Sequence, residues 1–116
     1  MSKAAKSVHV FGLYLVLPGI GFLLIPNVLL TLSGAPTTDQ PWIRVVGLLV
    51  LALGYYYVQA ARKDLSEFFP FTVHTRAALF LVFAVFVLLR LAPRALIVFG
   101  VVDLAGAIWT QRSLRS

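Results

Sequence analysis

The chain has 116 residues, 60% of them hydrophobic and only 12% charged, with a net charge of +6. A soluble domain carries about 45–50% apolar and about 25% charged residues, and a small one has little interior in which to hide an excess, so lipid must cover the rest. The basic residues fall at the ends of apolar runs, which excludes nucleic acid as a partner and suits anionic head groups.

Cysteine is absent, which removes disulfides, thiol nucleophiles, iron–sulfur ligation and thiolate metal sites. His9 and His74 are the only imidazoles and have no ligand-spaced neighbour. Neither a metal nor a cofactor is expected.

Residues 1–7 read as a polar tail with Lys3 and Lys6. Residues 8–25 form an uncharged run of bilayer-spanning length. A basic tail before an apolar run also fits a signal peptide. The run exceeds a usual signal core, however, and its small-residue exit, Ser33-Gly34-Ala35, is followed by Pro36. It is therefore read as span 1, with a proline at 18 and glycines at 12 and 19 on one face. Pro26–Leu32 predicts a short interfacial helix, with proline at its first position and Gly34 beyond its end.

Residues 34–40 are rich in turn formers. Span 2 is expected over 42–61, opened by Trp42 at head-group level, with Gly47 and Gly54 on one face and Arg62 and Lys63 at its exit. The shared glycine spacing of seven reads as helix packing as readily as an internal repeat. Residues 64–75 read as a loop, with Phe68-Phe69-Pro70-Phe71 dipping into the interface. Span 3, expected over 76–90, reads as plain Ala, Leu, Phe and Val with no interior polar group. Residues 90–94 make a short turn, so spans 3 and 4 should be antiparallel neighbours. Span 4 is expected over 94–111. The fold class is thus all-α: an integral membrane four-helix bundle in one domain, with a short interfacial helix after the first span.

Four spans put both termini on one side. That side collects Lys3, Lys6, Arg62, Lys63, Arg76, Arg112 and Arg115, against Arg44, Arg90 and Arg94 opposite. The positive-inside rule makes it cytoplasmic. The expected location is a bacterial inner membrane.

Asp103 is the candidate around which a site would form. A carboxylate at mid-membrane costs about 2.5–3.5 kcal/mol on insertion scales, so it is a functional candidate by default. Counting helix rise, it lies about ten residues, or roughly 15 Å, below the start of span 4, level with Leu51 or Ala52 on span 2. Arg44 is then about 10 Å too high to meet it without snorkelling. Tyr14 and Tyr55 lie near its level, so a neutral, tyrosine-bonded carboxyl is expected. The alternative is a hydrogen bond that fixes helix register.

Phe99, Gly100, Asp103, Gly106 or Ala107, and Thr110 share a face of span 4. Small residues there suit either a ligand cleft or a close helix crossing. On span 2, Arg44, Leu48, Leu51, Tyr55, Gln59 and Arg62 form a stripe. If it faces Asp103, Tyr55, Gln59, Asp103 and Thr110 line a pocket open to the cytoplasmic half. The alternative is that Tyr56 and Tyr57 form an aromatic belt; the three tyrosines cannot all face one way, so at least one is belt or lipid-facing. His74 and Arg76 read as inner-leaflet anchors, or as contacts for an anionic head group. His9 reads as interfacial. Arg44 could pair with Asp39, hold a phosphate or snorkel. No enzyme motif is present.

Residues 12–26 (Gly-Leu-Tyr-Leu-Val-Leu-Pro-Gly-Ile-Gly-Phe-Leu-Leu-Ile-Pro), Arg44-x-x-Gly47 leading to Gly54-Tyr55, and Phe99-Gly-Val-Val-Asp103-x-x-Gly106-Ala107 resemble small four-span bacterial proteins of the DoxX-like kind. The resemblance implies a compact inner-membrane bundle. That group is functionally mixed, with members tied to quinol oxidation and distant relatives that bind sterols or act as isomerases. The isomerase pattern needs several intramembrane acids, and only Asp103 is present, so that chemistry is not carried over. The reading is a non-enzymatic membrane protein that binds a lipid, quinone or other hydrophobic small molecule, or a partner subunit, at Asp103, Tyr55, Gln59, Tyr14, Gly100, Thr110 and Arg44. Two alternatives stand beside it: a dimeric proton-coupled exporter using Asp103, and a structural or assembly subunit of a membrane complex, whether as a homo-oligomer or with another protein.

Overall fold

The computed structural model describes residues 1–115. It is all-helical: α1 (Lys3–Leu24), α2 (Pro26–Leu32), α3 (Trp42–Arg62), α4 (Phe69–Leu88) and α5 (Ala95–Arg115). Four of these are long and apolar enough to cross a membrane. At 1.5 Å per residue, about 20 residues reach the roughly 30 Å of a hydrocarbon core.

α1 begins five residues before the expected apolar run. Ser2 caps it, accepting a hydrogen bond from the Ala5 N–H at 3.1 Å. Ala4, Ala5, Val8 and Phe11 share a buried face, while Lys3 and Lys6 point outward. The lysines thus lie on the first turn of α1 rather than in a tail. The helix continues through Pro18. α2 forms over the residues expected, with Pro26 in its first turn. Gly34 takes φ +79° beyond its end, and the Ala35 N–H donates to the Leu30 carbonyl at 2.8 Å. That left-handed turn suits glycine and closes the helix. Asn27 ties down the following loop by accepting from the Thr38 N–H at 2.9 Å.

α1 and α3 pack antiparallel through facing glycines. A Cβ on Gly54 would sit 2.9 Å from the Gly12 carbonyl oxygen, and one on Gly47 would sit 2.8 Å from that of Gly19. The spacing of seven on both helices therefore serves close backbone approach. Arg44, one turn into α3, donates to the Leu23 carbonyl at 2.6 Å. It satisfies the C-terminal end of α1, where a cation is favoured. It pairs with no acid among the described residues.

α4 departs most from expectation. It starts at Phe69, with Pro70 in its first turn, not at residue 76. Proline at a helix start loses nothing, because that N–H has no intrahelical partner. Phe69, Thr72, Val73 and Arg76 then share the buried face. Phe69 is fully buried, not interfacial. Span 3 therefore carries an interior arginine. A tight turn joins α4 to α5, which pack as antiparallel neighbours.

α1 is the hub: α3 and α5 both pack on it, and α4 packs mainly on α5 while reaching α1 and α3 at the end of the bundle that holds both termini. The result is flattened, measuring 43 × 29 × 18 Å. The main core cluster (Ala4, Ala5, Val8, Phe11, Tyr57, Ala60, Ala61 and Phe69) gathers at the end of the bundle that holds both termini. Elsewhere leucines, valines and phenylalanines point outward, including Leu17, Leu48 and Leu88. Water would not tolerate that surface; hydrocarbon matches it.

Candidate functional site

Arg76 is 1% exposed and is the largest fully buried side chain among the described residues. The long guanidinium arm carries it from α4 into the space between α1, α3 and α5. Its Nε donates to the Thr72 carbonyl at 3.1 Å. Its Nη2 donates to the Thr72 and Thr110 hydroxyls at 2.9 and 3.0 Å. Aromatic rings close two sides, with the Phe11 centroid 4.7 Å and the Tyr57 centroid 5.7 Å from Cζ. Such cation–π contacts are strongest where water is excluded.

The hydroxyl protons can be assigned by counting. Ser7 donates to the Ala4 carbonyl at 2.7 Å, and Thr72 donates to that of Phe69 at 2.7 Å. Thr110 then donates to Ser7 across 2.8 Å, which leaves its lone pairs for Arg76. Each hydroxyl gives one hydrogen bond and takes at least one. One group stands outside the network: Arg76 Nη1 is buried and makes no hydrogen bond among the described residues. A buried charged donor without an acceptor is costly.

Nη1 lies against Gly106, 3.1 Å from where a Cβ on that residue would be. Asp103 is one turn further along α5. It is half-buried and in electrostatic reach of Arg76, Tyr14 and Tyr57. No direct ion pair joins it to Arg76, and it makes no hydrogen bond among the described residues. The expected tyrosine bond is absent, and the nearby charge is an arginine after all. Tyr55 faces outward on α3, and starting α4 at Phe69 moves Arg76 about two turns inside its helix, to a depth a boundary at 76 hid from view.

Of the other expected residues, Thr110 is fully buried on Arg76, and Tyr14 is half-buried beside Phe11, with ring centroids 5.6 Å apart. Tyr55 is 61% exposed and stands beside Tyr56 on the outer face of α3. The inward phenol is that of Tyr57, so the tyrosines of the triplet exchange their expected roles. Gln59 is half-buried and bonds neither Asp103 nor Thr110. Gly100 packs under Phe80 and Phe83, and Arg44 lies at the opposite end on α1. His74 is exposed. Ser7, Phe11, Tyr57, Thr72, Arg76 and Gly106 were not singled out by sequence reasoning as one centre. A signal existed: Tyr57 follows Gly47 and Gly54 on one helical face, and Phe69, Thr72 and Arg76 keep helical spacing.

A groove opens beside this centre, between α1 and α5. One part, about 310 Å³, is lined by Val10, Phe11, Tyr14, Val102, Ala105, Gly106 and Trp109. A second, about 260 Å³, runs from Tyr14 past Pro18 and Phe99 to Leu29 and Leu32 of α2. Tyr14 is the wall common to both. Phe11 and Gly106, the residues against which Arg76 lies, form part of the first.

Thr110→Val keeps the shape of the cluster but removes an acceptor from Arg76 and a donor from Ser7. It should cost about 1–3 kcal/mol, because a buried charged donor is left short. Denaturant unfolding in mixed micelles measures this.

No protein-family model matches the chain, and no curated protein or solved structure is significantly similar to it.

Proposed function

We propose that this is a non-enzymatic membrane protein that holds a hydrophobic small molecule, of lipid or quinone type, in the groove between α1 and α5. The observation that carries this reading is the apolar groove of about 310 Å³ itself, open to the surroundings, with the buried Arg76 centre behind its Phe11 and Gly106 wall. Binding sites for small molecules are mostly apolar hollows of about 300–1,000 Å³ with a few convergent polar groups. The groove faces the surroundings, so its occupant enters sideways from lipid. A fixed guanidinium next to Asp103 also weighs against the cationic substrate of a proton-coupled exporter, since like charges repel at close range.

The proposed setting is a bacterial inner membrane with both termini cytoplasmic, in keeping with the DoxX-like resemblance. Arg76 lies inside a span and leaves the count. Lys3, Lys6, Arg62, Lys63, Arg112 and Arg115 still outnumber Arg44, Arg90 and Arg94.

Ala105 lines the groove yet is exposed, so a larger side chain there fills it without entering the core. A panel of lipids and quinones should include a member that raises the Tm of the detergent-solubilised protein. Ala105→Phe should abolish that rise while leaving the unliganded Tm in place. Equal shifts in both proteins, or none with any compound, would remove the groove as a binding site.

A further inference from the structure

We infer that the groove takes the chain of an anionic lipid from the leaflet at the end of the bundle that holds both termini, with the acidic head held by Lys3, Lys6 and Arg112. The inference rests on the groove being a binding site and adds the chemistry and orientation of its occupant. The Ser7–Thr110 contact at 2.8 Å fixes how α1 and α5 lie against each other. From there the groove runs away from the termini along Val10, Tyr14 and Leu17 on α1 and along Trp109, Val102 and Phe99 on α5. Both sets keep helical spacing, so each is one face of its helix. Continued toward the termini, the α1 face passes Ser7 and ends on Lys3, with Lys6 at its edge. On α5 the next turn past Ala105 and Trp109 brings Arg112. The apolar track thus ends on cations from both of its walls.

Charge, length and depth agree on what fits. All three cations are exposed, and none makes a side-chain hydrogen bond or ion pair among the described residues. Asp64, an acid that reaches this end of α1, accepts from the Ser2 hydroxyl at 2.8 Å and not from a lysine. From Trp109 to Phe99 the α5 wall is about 15 Å long, half of the roughly 30 Å hydrocarbon core. That is the depth of one leaflet, so a chain lying in the groove keeps its head among the cations. Trp109 stands at the rim one turn from Arg112, 44% exposed, as a tryptophan at head-group level does. Basic side chains at a membrane surface attract anionic heads. The groove adds what a bare basic surface lacks, a place for the chain of the same molecule.

The test titrates dodecyl phosphate, 1-dodecanol, dodecylammonium and inorganic phosphate into the full-length protein in uncharged micelles at low salt, read by thermal unfolding. Dodecyl phosphate should bind at least about tenfold more tightly than dodecanol or inorganic phosphate, each of which offers only half of the molecule. Lys6→Gln/Arg112→Gln should cut the preference for phosphate over alcohol to about threefold or less, with alcohol affinity retained. Arg62→Gln/Lys63→Gln removes the same charge from the end of α3 and should leave the preference in place. All four residues are exposed, so neither double variant disturbs the core. An equal fall in both would assign the preference to the overall charge of the protein and overturn the site. Equal binding of phosphate and alcohol, lost in Ala105→Phe, would overturn the head-group assignment and leave the groove standing. Tightest binding by the ammonium, or by inorganic phosphate, would also overturn it. If no probe binds, both readings fall.

Discussion

Arg76→Met is expected to destabilise the protein by about 1–3 kcal/mol, the cost of leaving buried hydrogen-bond partners unsatisfied. The side chain is buried, and it ties α4 to α5 through Thr110 and to α1 and α3 through the rings of Phe11 and Tyr57. Methionine fills much of the volume. It leaves Thr72 and Thr110 without their donor and Asp103 without its counter-charge. The pairing makes a sharper statement. Arg76→Met/Asp103→Leu should be more stable than Arg76→Met alone by about 1–3 kcal/mol, since coupled sites show interaction energies of that order. Unfolding of all four proteins of the cycle in mixed micelles measures it. Strict additivity would mean that Arg76 and Asp103 are independent.

Gly54→Leu should cost about 1–3 kcal/mol or more, through overpacking of a contact between backbones. The first added carbon would sit 2.9 Å from the Gly12 carbonyl oxygen, and backbone cannot swing aside as a side chain can. Gly100→Ala is the internal control. Its nearest new neighbours are ring carbons of Phe80 and Phe83 at 3.3 Å, which yield by small rotations. It should change stability by about 1 kcal/mol or less. If both substitutions are tolerated alike, the α1–α3 interface is not set by backbone approach.

Much of the fold was legible because the signals were local. Proline at 26 and glycine at 34 bracket α2, and long uncharged runs mark the spans. Glycines seven apart on two runs foretold a close interface, which α1 and α3 form. The start of α4 was hidden by polar residues. Thr72, His74, Thr75 and Arg76 look like a loop when only hydropathy is weighed. Pro70 then reads as a breaker, although in a first turn it is a helix starter.

That single boundary explains the error at the site. With a boundary at 76, Arg76 falls at the interface, and helix rise leaves Arg44, Tyr14 and Tyr55 as the neighbours to weigh for Asp103. With Arg76 restored to the span, Tyr57 and Thr110 fall in place around it. Tyr55 and Tyr56 turn outward. The acid singled out at the start belongs to a centre whose best-anchored member is an arginine. The groove was beyond sequence reasoning altogether, because it depends on α5 lying against α1, a pairing no local pattern encodes.

The most direct test is native mass spectrometry of the protein released from the membranes that made it. Wild-type protein should carry one small hydrophobic molecule per chain at gentle activation, and Ala105→Phe should appear at its bare mass. Bare wild-type protein, or the same adducts on both, would contradict a ligand held between α1 and α5.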